Sequence, residues 1–187
     1  MNVFYEDLPV TLQINGEPYP IITDFREWIR FSDMIKSDIP PEYKLEFLSE
    51  MFLKRINVQE HFDEIIYKIS AFLSLEELKI PHKDGGKHKA GKNTLSYVYD
   101  APYIISAFLE NYGVDLVSID YMHWWKFRML LDGLPDETHI KQRIYYRSVD
   151  LGDIKDKDEK KRISRIKKSI DLPENEFLSD EEIANAF

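Results

Sequence analysis

Residues 112–134, YGVDLVSIDYMHWWKFRMLLDGL, constrain the fold more than any other part of the chain. Gly113 suits the left-handed cap that ends one helix, and Ser118 is placed to cap the next, with Asp120 in its first turn at the positive end of the dipole. At about 100° per residue, Ile119, His123, Trp124, Phe127, Leu130 and Leu131 fill one wide arc, and Met122 and Met129 lie on its far side. Tyr121, Arg128 and Asp132 form the polar strip, with Arg128 and Asp132 spaced to pair. A helix apolar around most of its circumference has to be covered on several sides, which makes it the expected centre of the fold. Trp124 and Trp125 project about 100° apart and are expected to hold two different neighbours. Trp125 falls beside the polar strip, so of the aromatics of this helix it is the one placed to border solvent, although core is the favoured reading for this one residue. Tyr121, Trp125 and Arg128 are therefore the candidate protein-binding residues, against the competing reading that Trp125 is core.

The rest of the chain supports a mainly α fold, a single helical domain over residues 1–170 with a small N-terminal β-hairpin, followed by an acidic tail over 171–187. The length of 187 residues is enough for a sizeable core. With 43% hydrophobic and 13% aromatic residues the composition excludes disorder. No cysteine is present, which excludes disulfides and thiolate metal sites and is compatible with a reducing cytosol. No apolar run approaches the roughly 20 residues that span a bilayer, and residues 1–10 are acidic rather than signal-like, so a soluble, unexported chain is expected, without a membrane partner.

In chain order, Val10 to Ile14, the Asn15-Gly16 turn and Tyr19 to Ile22 predict a hairpin within 9–22, with Pro18 and Pro20 confining the second strand to an edge. Asp24 with Glu27 opens a helix carrying Phe25, Trp28, Ile29 and Ile35. Pro41 starts the next, where Leu45, Leu48 and Phe52 share a face. Asn57 with Glu60 repeats the cap signal before the stripe Phe62, Ile65, Ile66, Ile69, Phe72 and Leu73. Residues 80–94 are a flexible loop holding three of the seven glycines. Asp100 and Pro102 open a helix with Ile104, Ile105, Phe108, Leu109 and Tyr112 facing inward. Residues 137–147 and 156–170 complete about six or seven helices. In the last of them only Ile163, Ile166 and Ile170 are available for packing, and ending the chain at Ser169 is expected to leave the melting temperature within a few degrees.

The motifs that resemble chemistry have plainer explanations. Residues 86–93, GKHKAGKN, match the phosphate-loop pattern GxxxxGK but place Asn93 where the magnesium-binding hydroxyl belongs. No buried strand feeds this loop and no strand–helix alternation surrounds it, so a solvated linker is expected rather than a nucleotide site. His82, Asp84 and His88 lack orienting partners, and no metal site is expected. His123, on the apolar arc, reads as a core histidine bonded to a backbone carbonyl. The acidic pairs sit at helix starts, where capping accounts for them, and no catalytic residues or cofactors emerge. The net charge of −9 argues against nucleic acid as the main partner. It is unevenly placed, since residues 155–168 are rich in Lys and Arg whereas 171–187 hold six acids and no base. The basic helix leaves a DNA-binding accessory or regulatory role as an alternative, and the 86–93 loop a nucleotide-binding one.

Four blocks, TDFREWIRF from Thr23, YDAPYIISAFLENYGVDL from Tyr99, MHWWKFRMLLDGLPDET from Met122 and YRSVDLGDIKDKDEKKR from Tyr146, resemble the bacteriophage gene-product-fifteen family over roughly Ile21 to Lys168. Members are encoded beside the tape-measure gene of tailed phages and prophages. The resemblance implies a tail-assembly-chaperone-like role, in which the chain binds the tape-measure protein, alongside other tail-assembly proteins, and keeps it soluble during tail morphogenesis. It implies residence in the host cytoplasm and absence from the mature virion, and no catalytic residue comes with it. Self-association into a homo-oligomer is compatible with this role.

Overall fold

The computed structural model describes residues 1–78 and 94–172. Among them a two-stranded hairpin, β1 (Thr11–Ile14) and β2 (Glu17–Pro20), precedes seven α-helices: α1 (Phe25–Lys36), α2 (Pro41–Glu50), α3 (Phe62–Leu73), α4 (Ala101–Tyr112), α5 (Trp124–Asp132), α6 (His139–Ser148) and α7 (Lys157–Ser169). The fold is mainly α, as the helical spacing predicts. The near phosphate-loop at 86–93, with His82, Asp84 and His88 beside it, and the tail from Pro173 lie outside the described residues. The chain divides into two compact units, one containing described residues 1–78 and 120–129, the other 94–119 and 130–172.

The first unit begins with the hairpin. Asn15 at φ 50° and Gly16 at φ 79° form the two-residue turn whose twist matches antiparallel strands. Leu12 pairs with Tyr19 and Ile14 with Glu17, which leaves Pro18 and Pro20 opposite Gln13 and Thr11, where a strand residue donates nothing to its partner. The missing N–H groups are therefore harmless. On its other edge β2 still accepts through Pro20 O from Leu53 N at 2.8 Å, and Ile22 N donates to Met51 O at 2.9 Å. Asp24 caps α1 by accepting from Arg26 N at 2.9 Å, and Phe25, Trp28, Phe31 and Ile35 are buried. Pro41 opens α2, whose buried Lys44 donates to Ile35 O at 2.8 Å, satisfying a carbonyl at the end of α1. Asn57 and Glu60 bond each other reciprocally, but they cap a turn, and α3 begins only at Phe62. Its predicted stripe is buried at Ile65, Ile66, Ile69 and Phe72.

The start of α5 departs from expectation. Ser118 does not cap it: its hydroxyl donates to Asp115 at 2.8 Å, and Asp115 in turn accepts from Val117 N. The helix starts at Trp124 because Met122 to Trp124 pair as extended chain with Thr23 to Phe25. Phe25 N donates to Met122 O at 3.0 Å and Trp124 N to Thr23 O at 2.7 Å, around an antiparallel bridge between Asp24 and His123. A backbone held in a ladder cannot also make helical bonds, so Ile119, Asp120 and His123 fall outside the helix to which the spacing assigned them. Met122, expected on the far side of the arc, is buried.

In the second unit α4 starts at Ala101 and ends at Gly113, whose φ of 64° and N–H to Leu109 O at 3.1 Å match the predicted left-handed cap. Leu109 is 54% exposed rather than inward. The buried face runs through Ile104, Ala107 and Phe108, spaced i, i+3 and i+4, and Leu109 lies about 100° beyond it. Asp156 caps α7 by accepting from Glu159 N at 2.7 Å, and Ile163 is the buried residue of that helix, with Ile166 and Ile170 half-buried.

Candidate functional site

The HWWKFR segment, residues 123–128, closes the C-terminal end of α3. A helix leaves its last carbonyls without internal partners, and here three side chains meet them. Trp125 Nε1 donates to Phe72 O at 2.8 Å, Trp124 Nε1 to Leu73 O at 3.3 Å and Arg128 to Leu73 O at 3.4 Å. The two indoles thus grip one helix end, where divergent projection predicts two neighbours, because the carbonyls of successive residues sit about 100° apart around the helix axis. His123 sits beneath them, buried, with Nε2 at 2.9 Å from Pro9 O and Nδ1 accepting from Trp125 N at 3.0 Å. These two bonds define the neutral Nε2–H tautomer. Burial lowers the His123 pKa below its usual value, against a smaller upward pull from the Pro9 carbonyl.

The second polar cluster centres on Asp100, which is fully buried. The residue at this helix start reads from sequence as a cap, yet its side chain makes no capping bond to α4. Instead Oδ1 accepts from Arg143 Nε at 2.9 Å and from Arg147 Nη2 at 3.0 Å, and Oδ2 accepts from Arg147 Nη1 and from Ser96 N. Burial alone raises the carboxyl, but the bonds from Arg147, the Ser96 N–H and Arg143 outweigh it and hold Asp100 below the usual carboxylate range. Arg147 also donates to Thr94 O at 3.0 Å and Ile170 O at 2.7 Å. Arg147 thus directs its guanidinium at protein acceptors, and Arg143 lies 4.3 Å over the Tyr103 ring. Among the described residues no group of three or more His, Asp or Glu side chains is placed to hold a metal, and no helix is long and apolar enough to cross a membrane.

The candidate protein-binding residues separate. Tyr121 is 53% exposed and its hydroxyl bonds Thr23 Oγ1 at 2.7 Å. Arg128 turns to the end of α3 and lies over the Trp124 ring at 5.5 Å. Trp125 does not border solvent. It is 1% exposed, because its N–H seeks the Phe72 carbonyl and its ring packs 5.9 Å from that of Phe72. It lines a hollow together with Pro9, Leu12, Ala71 and Phe72 and with polar residues that include Lys68, Glu76 and Glu77. A second hollow of about 500 Å³ adjoins it on α3, lined by Phe62, Asp63, Ile66, Tyr67, Ser70, Ala71, Ser74 and Glu76. Both share Tyr67, which is 60% exposed. Sequence spacing missed this trough because Tyr67 and Ala71 lie off the apolar stripe, where polar filler is the ordinary expectation; an exposed tyrosine between Ile66 and Lys68 was its one sign.

The family model described as Bacteriophage Gp15 protein matches residues 4–172, nearly the whole chain. The chain belongs to the Bacteriophage Gp15 protein family. No curated protein and no solved structure matches it. In this Gp15 chain the blocks that carry the resemblance are builders of the fold: TDFREWIRF pairs with residues 122–124, HWWKFR seals α3, and the Asp100 of YDAPY meets the Arg147 of YRSVDL. The α3 trough lies between those blocks, whereas the α7 face bearing Lys157, Lys160, Lys161 and Arg165 around Leu151 falls largely within the last of them.

Proposed function

We propose that this phage protein is a tail-assembly chaperone-like factor that binds the tape-measure protein and keeps it soluble until the tail tube forms, without catalysis, cofactor or metal. The observation that carries this reading is membership of the Gp15 family over residues 4–172, since members resemble chaperones in size and in lying beside the tape-measure gene. A tape measure is a long helical, partly apolar chain that aggregates when bare, and a helical protein with an exposed apolar trough suits its shielding. On this reading the protein acts in the host cytoplasm, alongside other tail-assembly proteins, and is absent from the finished virion. Co-expression tests it. The tape-measure protein stays soluble and co-purifies with this chain, and precipitates without it; equal solubility with no co-purification overturns the assignment.

A further inference from the structure

The first unit is strongly acidic, with Asp24, Glu27, Glu42, Asp63 and Glu64 at its helix starts among the contributors. Its described residues hold nine Lys and Arg against sixteen Asp and Glu, a net charge of −7, whereas the described part of the second unit holds eleven against twelve. The α3 trough lies on that acidic unit. Its floor is apolar, from Phe62, Ile66 and Ala71, and Ser70 and Ser74 present no bulk that would keep another backbone away. Asp63 stands at one end of α3 and Glu76, with Glu77 beside the adjoining hollow, at the other. The helix between them is about 18 Å long, the reach of three turns. Tyr67, 60% exposed, lines both hollows, its ring approached by Lys68 at 5.8 Å.

The geometry points to this trough as the docking surface for a cationic amphipathic helix, which lays apolar side chains on either side of Tyr67 and sets Lys or Arg against Asp63 and Glu76. Charge complementarity selects this occupant: a helix with an acidic polar face would meet like charge at both ends of the trough and across the whole unit. An apolar face at helical spacing fills a groove of this shape, and the exposed carboxylates of Asp63 and Glu76 at its rim steer and register a cationic partner. The inference rests on the chaperone reading for the identity of the partner, not for the chemistry of the surface.

The probe is a synthetic amphipathic peptide of about 18 residues, leucine on one face and lysine on the other, with a twin carrying glutamate in place of lysine; binding to the full chain is followed by fluorescence anisotropy. The lysine peptide binds and the glutamate twin does not. Tyr67→Ala and Ser74→Trp, both exposed and neutral in charge, each weaken binding about tenfold, and so does the pair Asp63→Lys with Glu76→Lys. If Tyr67→Ala and Ser74→Trp bind the lysine peptide as the wild type does, attraction is to net charge alone and the trough is not the surface. Circular dichroism of each variant, unchanged from wild type, establishes that the fold is intact. Co-expression with the tape-measure protein separates the two ideas: solubilisation by wild type and equally by Ser74→Trp overturns the trough while leaving the chaperone reading standing, whereas no solubilisation by wild type overturns the chaperone reading while the peptide result still decides the surface.

Discussion

At the scale of single residues, His123 ties the Trp125 backbone to Pro9, and it does so only when neutral, because protonation of Nδ1 removes the acceptor for Trp125 N–H. Its pKa in the folded chain is lowered from about 6.5, chiefly by burial. The folded state therefore binds fewer protons than the unfolded state below that value, so the stabilisation is complete above pH ~6.5 and is lost as pH falls toward the folded pKa. The urea midpoint is expected to drop between pH 7.5 and 5.5. In His123→Asn, whose amide oxygen can still accept from Trp125 N–H but cannot titrate, that part of the drop disappears; an unchanged pH dependence in the variant would show that His123 is not its source. Asp100 acts in the same direction at lower pH, its depressed pKa giving stability that is present above the ordinary carboxylate range and lost as pH falls through the folded value. Arg147→Met is expected to cost about 3–5 kcal/mol, since it leaves a buried carboxylate short of its main partner. Asp100→Asn in the same chain recovers part of that loss, which urea unfolding of the two single variants and the double variant measures.

At the scale of elements, the helices announced themselves through caps and 3.6-residue spacing, and the late start of α5 comes from an interaction between segments distant in sequence. The hairpin was legible in Asn15-Gly16 and the two prolines, and α3 in its stripe of isoleucines. The late start of α5 was not, because it depends on pairing with Thr23 to Phe25, about a hundred residues earlier, and nothing in the local spacing of Ile119 to His123 opposes a helix. Asp100 does stand at the start of α4, as its place before Ala-Pro indicates, but its pairing with Arg143 and Arg147 of α6 depends on residues distant in sequence. The trough went unseen because it is made by what is missing from one face of α3, a row of small residues beside an exposed tyrosine. The bond from Arg147 to Ile170 O also changes the expectation for shortening the chain. Ending at Leu172 keeps that carbonyl inside the chain, whereas ending at Ser169 removes it and leaves a buried guanidinium N–H unmatched. A chain of residues 1–169 is thus expected to melt several degrees below one of residues 1–172, in keeping with about 1–3 kcal/mol for a lost charged hydrogen bond. Equal melting temperatures would show that water replaces the carbonyl at no cost.

At the scale of the whole molecule, the placement of charge offers a test between the proposed partners that a total of −9 does not. The cations of α7 are partly committed: Arg162 pairs with Glu159 at 2.7 Å, and Lys167 donates to Arg147 O at 2.9 Å and to Val149 O. Lys157, Lys160, Lys161 and Arg165 remain around Leu151, on a unit whose described residues sum to about neutral and in a chain that repels polyanions at a distance. A DNA-binding role for this helix requires the α7 cations, whereas a cationic helical partner requires the acids of the first unit. Long-range attraction chiefly sets association rates and is screened over about 8–10 Å at ordinary salt. Reversing Lys160 and Lys161 to Glu is therefore expected to leave association with the tape-measure protein unslowed or slightly faster, and reversing Asp63 and Glu76 to Lys to slow it several-fold at low salt, with the difference fading by about 0.5 M. Stopped-flow or surface-plasmon association rates across a salt series measure both. The opposite pattern, with the Lys160 and Lys161 reversal abolishing binding and the acid reversal tolerated, would assign partner recognition to α7 and favour an acidic or nucleic-acid partner.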